Sequence, residues 1–302
     1  MKNKVVVILG PTAVGKSDTA VTLSKRLKCA EVISADSRQV YTGLNIGSGK
    51  ITKKEMQGVI HHGLDIVSPT RKKAYSVAEF KEYADKKITE ISKRKNLPIL
   101  CGGTGFYIDA VIDGMVLPEV PPNLPLRAKL STYTTEKLFN MLKKIDDTRA
   151  KNIDSKNPVR LIRAIEISKA LGKVPIVQKG KPYETLVIGV DVPNEILKKK
   201  ISLRVQKRMK QGMLKEAINL HKKGVSWKRM KSFGLEYGLL ADLAQKKISK
   251  KDFLERLEIE IWQYVKRQRK WFARRDDIHW YTPHDIQKIY RSVSKFIKNH
   301  SV

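Results

Sequence analysis

Cysteine is scarce in this 302-residue chain, with Cys29 and Cys101 the only two. Two thiols are too few for a disulfide framework or a four-ligand zinc site, so both are expected to be reduced, buried and chemically idle. Long hydrophobic runs are missing as well. The N-terminal apolar run covers residues 5–9, too short for a signal peptide, and nothing approaches the roughly 20 apolar residues that a membrane span needs. A cytoplasmic location without a membrane is the expectation. Acidic residues are the third shortage: 30 Asp and Glu stand against 61 Lys and Arg, a formal net charge of +31. That excess suits a polyanionic partner, although lysine spread over every solvated face accounts for part of it.

What is present is enough to bury a full core: 41% of the residues are hydrophobic, which fits one large domain with a smaller insertion. The run at 5–9 reads as a strand covered on both faces, as in a parallel sheet, and ends at Gly10. A helix over 17–27, with Ala20, Leu23, Ser24 and Leu27 on one side, leads to a second strand from residue 30. An amphipathic helix over 77–93 then precedes a short buried strand at 98–101. From residue 117 the texture changes. The proline-rich stretch 118–125 interrupts regular structure, and helical patterns run from there to about 171. Strand character returns at 186–192. Asn194 is placed to cap a basic helix reaching about 221, another helix spans 250–272, and an amphipathic one follows 282. The expected fold is therefore α/β, a parallel sheet flanked by helices over 1–116 and 185–302, with a mainly helical domain inserted at 117–184.

Residues 10–17, Gly10, Pro11, Thr12, Ala13, Val14, Gly15, Lys16 and Ser17, fit G-x-x-x-x-G-K-[ST] directly after a strand and before a helix. From composition alone a chain this long matches the bare pattern on the order of one time in a hundred, before its strand and helix are required. Backbone N–H groups of such a loop curl around a diphosphate, the helix start adds partial positive charge, Lys16 neutralises phosphate oxygens, and Ser17 can ligate Mg²⁺. Ligands of open α/β sheets sit at the carboxyl ends of the strands, which is where Asp36 and Thr104 fall. Asp36 there suits a carboxylate near Mg²⁺, a general base or a helix cap, and spacing does not choose among them. His61 and His62 point opposite ways on an extended segment with no further ligands nearby, and are read as structural.

GPTAVGKS, SADSRQVYTGLNIGSGK, HHGLDIVSP with YSVAEF, GGTGFYI and KRQRKWF, in that order, resemble the tRNA dimethylallyltransferase family from end to end. The resemblance implies a P-loop NTPase-like fold whose loop holds dimethylallyl diphosphate in place of ATP. The acceptor it implies is N6 of the adenosine 3′-adjacent to the anticodon, in tRNAs reading codons that begin with U. It assigns Asp36 as general base, Lys16, the loop amides and Mg²⁺ at Ser17 to the departing diphosphate, and Arg204 to the same anion, with Lys200 and Arg208 one turn to either side. Thr104 matches a residue at the reacting region of the tRNA; its plain alternative is a helix cap. The anticodon stem-loop would be gripped by Asp36, Ser37, Arg38, Gln39, Thr104 and Arg127, and by Val159, Arg160, Leu161, Ile162 and Arg163. That last segment corresponds to the family's Q-R-x-x-R, and Val159 departs from it by replacing Gln. The basic stretch 262–276 is either a surface helix with Trp262, Val265 and Trp271 turned to the core, or a phosphate-binding face led by Lys266, Arg269 and Lys270.

Two other activities fit parts of the pattern. A small-molecule or nucleotide kinase uses the same loop with an Asp beyond the next strand, but leaves GGTGFYI and the basic C-terminal helix unexplained. An adenylate isopentenyltransferase would share the chemistry and not need the large positive charge. With no separate dimerisation element visible, a monomer is expected.

Overall fold

A computed structural model describes residues 2–299 of the chain. The chain divides into two compact units: Gly114–Gly180, and the residues to either side of it. The larger unit is built on one sheet. Its strands are β1 (Lys4–Leu9), β2 (Ala30–Ala35), β3 (His61–His62), β4 (Leu97–Gly102), β5 (Glu184–Val190) and β6 (Ile278–Tyr281). They lie in the order β3-β2-β4-β1-β5-β6, every neighbouring pair parallel.

The central strand explains its own sequence. With a side-chain period of two, Val6 and Ile8 join the core on one face of the sheet, while Val5, Val7 and Leu9 join the core on the other. Both faces are dry, so the strand is apolar without alternation. Each such buried side chain contributes about 1.5–3 kcal/mol. On the second face the helix Val77–Lys93 packs Phe80, Ala84, Ile88 and Ile91 against Ile33 and Leu100. Ser76 and Glu79 form a reciprocal capping box that fixes where this helix starts.

Several expectations need correction. The helix proposed for 194–221 is two helices, Asn194–Lys210 and Met213–Lys222, because Gly212 adopts φ 94 between them. Its cap position is held by Pro193, while the Asn194 side chain accepts a hydrogen bond from Arg269. β6 has no clear signal in the sequence, since only Ile278 of its four residues is buried. Cys101 is buried but Cys29 is exposed. Residues 181–184 go with the sheet: the Tyr183 hydroxyl donates to Asp85 at 2.7 Å and Glu184 opens β5.

The smaller unit holds the helices Leu124–Leu130, Thr135–Ile145, Asp147–Lys151 and Pro158–Leu171 around a core of its own, including Leu138, Leu142, Leu161 and Ile165. The proline-rich entry ends where Asn123 caps the first of these helices and Pro125 occupies its first turn, a position that does not need the missing N–H.

Candidate active site

β1 ends at Leu9 and the chain turns at once into the loop 10–15. Gly10 takes φ 146, and a Cβ there would stand 2.1 Å from the Val190 carbonyl oxygen, so no larger residue fits. Ala13 and Gly15 are also in the left-handed region, at φ 65 and 109, and Val14 is fully buried as the loop's anchor. The helix Lys16–Leu27 then begins on Gly15 without a side-chain cap, which leaves its first N–H groups directed at the cavity in front of it.

That cavity has a volume of about 450 Å³. The loop contributes Lys16 and Ser17, the end of β2 contributes Asp36 and Gln39, and the end of β4 contributes Cys101 to Gly103. The helix Asn194–Lys210 closes one side with Lys200, Leu203, Arg204 and Lys207. Four cationic side chains therefore face a space shared with the carboxylates of Asp18, Asp36 and Glu55, which suits a compact, multiply charged anion. Desolvation lowers Lys16 to about 8, with Cys101 and Asp36 pulling back upward and Arg204 adding to the decrease. Its Nζ donates to the Pro11 carbonyl at 2.6 Å. Arg204 is lowered to about 10, first by burial and then by Arg208. Both cations are poised to gain from an incoming anion.

Of the three cations considered for the anion, Lys200 and Arg204 line the cavity and Arg208 does not. Arg208 is buried, pairs with Glu236 at 3.2 Å and donates to the Gly47 carbonyl, so it braces the wall behind Arg204.

Asp36 reconciles two of its readings. Its Oδ1 accepts the N–H groups of Arg38 at 2.8 Å and Gln39 at 3.3 Å, which holds the turn 36–39, and the carboxylate still lines the cavity. Thr104 occupies the cap position of the helix Gly105–Ile112 but makes no side-chain cap bond. Its hydroxyl instead accepts the Ser37 N–H at 3.1 Å, and the nearby Tyr264 phenol is pushed up to about 12 by desolvation and then by Asp36. Arg38 turns its guanidinium to the Ser37 carbonyl at 3.3 Å, and the Gln39 amide reaches the Gly49 carbonyl at 3.4 Å.

Sequence reasoning missed Gln268. It sits on the helix Lys250–Phe272, accepts the Thr12 N–H at 2.9 Å and donates to the Gly103 carbonyl at 2.8 Å. The signal available was a polar residue at the helical spacing of Ile261, Val265 and Phe272, on the face that turns inward. On the same helix Val265 is buried and Trp262 and Trp271 pack against the cores, while Lys266 and Lys270 are exposed. Arg269 is not free for a partner: it forks onto Asp191 at 2.8 Å and bonds the Val192 carbonyl.

The candidates of the smaller unit form a separate cluster. Glu166 is buried and accepts from Arg127 at 2.7 Å, from Arg163 and from the Asn123 N–H. Burial pulls this carboxyl upward, but the bonds from Arg127, the Asn123 N–H and Arg163 hold it below its ordinary value. Both arginines are thus tied to the fold. Leu161 belongs to the core and Ile162 packs on it. Val159 is 75% exposed, and Arg160 lies 3.9 Å from Asp154 on the surface.

His62 meets the Glu31 carboxylate at 2.7 Å and His61 the Val59 carbonyl at 2.9 Å. Among the described residues no group of three or more His, Cys, Asp or Glu is arranged to hold a metal, and no helix is long and apolar enough to cross a membrane.

A glycine-rich loop between strand and helix on a parallel sheet, with a carboxylate and further cations facing it across one cavity, has the form of a site for a phosphorylated ligand. Comparison with known proteins narrows the class. The family model described as IPP transferase matches residues 39–276. A curated relative from Treponema denticola, tRNA dimethylallyltransferase 2, is 42% identical over 279 residues, covering 90% of this chain and 92% of its own. The crystal structure of the full-length tRNA isopentenylpyrophosphate transferase of Bacillus halodurans superposes with a TM-score of 0.75 at 35% identity, covering 99% and 98% of the two chains. A eukaryotic dimethylallyltransferase solved in the act of modifying tRNA shares the fold, with a TM-score of 0.81 at 23% identity and coverage of 99% of this chain and 81% of its own. The chain belongs to the IPP transferase family.

Proposed function

We propose that this chain transfers the dimethylallyl group of dimethylallyl diphosphate to N6 of the adenosine 3′-adjacent to the anticodon in tRNAs reading codons that begin with U. The observation that carries this reading is the cavity itself, where Asp36 shares one space with Lys16, Lys200 and Arg204. The N6 lone pair forms the bond to C1 of the prenyl group. The bond from C1 to the bridging oxygen breaks, and its electron pair leaves with diphosphate. The N6 proton passes to the Asp36 carboxylate, which compensates for an amine made weakly nucleophilic by delocalisation into the ring. Lys16, Arg204, Lys200 and the N–H groups at the helix start receive the charge that develops on the leaving group.

Magnesium suits the site. Ser17 lies at the cavity beside Asp18, Asp36 and Glu55, and Mg²⁺ favours one or two protein oxygens together with substrate phosphate. Ser17 would hold it, and it would supply further neutralisation of diphosphate charge. The target base must leave its stack to reach the cavity. Gln39 lines it, Ser37, Arg38 and Thr104 adjoin lining residues in the chain, and the surface lysines Lys266 and Lys270 suit the phosphates of the anticodon stem-loop. Arg160 and Val159 of the smaller unit are exposed for contact with RNA, whereas Arg127, Leu161, Ile162 and Arg163 would act by shaping that unit. The reading includes a monomer in the cytoplasm, for which sedimentation of the purified chain and fractionation of cells are the checks.

The test is incubation with unmodified tRNA, Mg²⁺ and labelled dimethylallyl diphosphate, with and without ATP. Label in the RNA without ATP supports the assignment. ATP-dependent phosphorylation of a small molecule, with no label in RNA, would establish the kinase activity instead.

A further inference from the structure

We infer that Gln268 is a positioning residue for the phosphate loop, fixing the peptide that joins Pro11 to Thr12 and, through that peptide, the place of the Lys16 ammonium. The inference rests on the reading of the loop as a diphosphate site. Gln268 is only 5% exposed and uses both ends of its amide, Oε1 on the Thr12 N–H and Nε2 on the Gly103 carbonyl. Only the NH₂ end can donate, so the two partners together determine which way the amide faces.

The Thr12 N–H and the Pro11 C=O belong to one planar peptide, and in a trans peptide they point in opposite directions. The N–H edge is held by Gln268 and the C=O edge accepts Lys16 Nζ at 2.6 Å. Rotating this peptide therefore moves the acceptor on which the ammonium rests. The helix carrying Gln268 is fixed in turn, one residue later, by the Arg269 fork onto Asp191 at the end of β5. Gly103 keeps the space: a Cβ there would lie 2.4 Å from Gln268 Nε2. Gly103→Ala should consequently displace the same amide that Gln268→Ala removes.

The experiment is calorimetric binding of inorganic pyrophosphate with Mg²⁺ to the full chain, to Gln268→Ala, to Gly103→Ala and to the double variant. Each single change should weaken binding about tenfold, the scale of one net hydrogen bond. The double variant should be no weaker than the singles, since both remove one bridge. Binding of unmodified tRNA should be unchanged. A purely structural role would lower the melting temperature and leave the pyrophosphate affinity of the folded protein as it was, which would overturn the inference, as would additive losses in the double variant. If Gln268→Ala does not fold, Gln268→Met, of nearly the same volume, takes its place with the same expected weakening. A wild-type chain that does not bind pyrophosphate overturns the reading of the loop itself; wild-type binding with an unaffected Gln268→Ala overturns the role of Gln268 alone.

Discussion

The Thr104 hydroxyl accepts the Ser37 N–H at 3.1 Å, so a residue two positions beyond the end of β4 holds the turn that follows β2. Thr104→Val keeps the shape and leaves that N–H unpaired, at a cost of about 1–3 kcal/mol. Its kcat/KM for tRNA should fall, and Thr104→Ser should restore it. Steady-state kinetics of the pair decide the point; equal loss in both variants would dismiss the hydroxyl.

Asp36 serves the turn and the cavity at once, so the choice of variant matters. Asp36→Asn keeps an oxygen for the Arg38 and Gln39 N–H groups and removes the basic carboxylate. Turnover should drop by at least about a hundredfold, the lower range for a lost general base, with tRNA affinity unchanged in a filter-binding assay. Asp36→Ala should lose turnover too, with an added loss of stability from the unpinned turn.

Lys16 carries the pH dependence. Its folded value is lowered to about 8, and the anion binds the protonated form. Pyrophosphate affinity should therefore be full below about pH 8 and decline as the pH rises through it, with bound anion moving the midpoint upward. Because the folded chain releases this proton before the unfolded one does, the same group makes stability rise with pH above about 8. Titration of Lys16→Met should show neither trend.

The two neighbours of Arg204 should separate cleanly. Lys200→Ala, at the cavity wall, should weaken pyrophosphate binding with little change in melting temperature. Arg208→Ala strands the mostly buried Glu236 carboxylate and should cost about 3 kcal/mol of stability, read by denaturant unfolding.

On the long helix, Lys266→Ala and Lys270→Ala should each weaken tRNA binding and flatten its dependence on salt by about one unit of slope. Arg269→Ala should act mainly on stability, because it removes the partner of Asp191. Binding measured across a salt series distinguishes them.

Much of the fold is visible in the sequence because its signals are local. The run at 5–9 and the glycine after it announce a doubly covered strand, and the helices Val77–Lys93 and Lys250–Phe272 follow their apolar spacing and their capping residues. Where the signal is weak the expectation fails. A single glycine at 212 splits a helix whose basic residues look continuous, and β6 carries one buried side chain.

The sequence by itself determined the glycine-rich loop after β1, most of the elements around it and the positions of Asp36 and Thr104 beyond the ends of β2 and β4. It did so because backbone conformation near glycine and the periodicity of apolar side chains are properties of neighbouring residues. Only the tertiary structure decided which cations face the cavity and which are spent on the fold. Lys200 and Arg208 look alike in sequence, as do Lys266 and Arg269, but a charge is available only where no carboxylate of the fold has claimed it. Glu166, Asp191 and Glu236 lie 39, 78 and 28 residues along the chain from Arg127, Arg269 and Arg208 respectively. Gln268, likewise, acquires its role from two partners 256 and 165 residues away, brought to it by the packing of a helix against the ends of the strands.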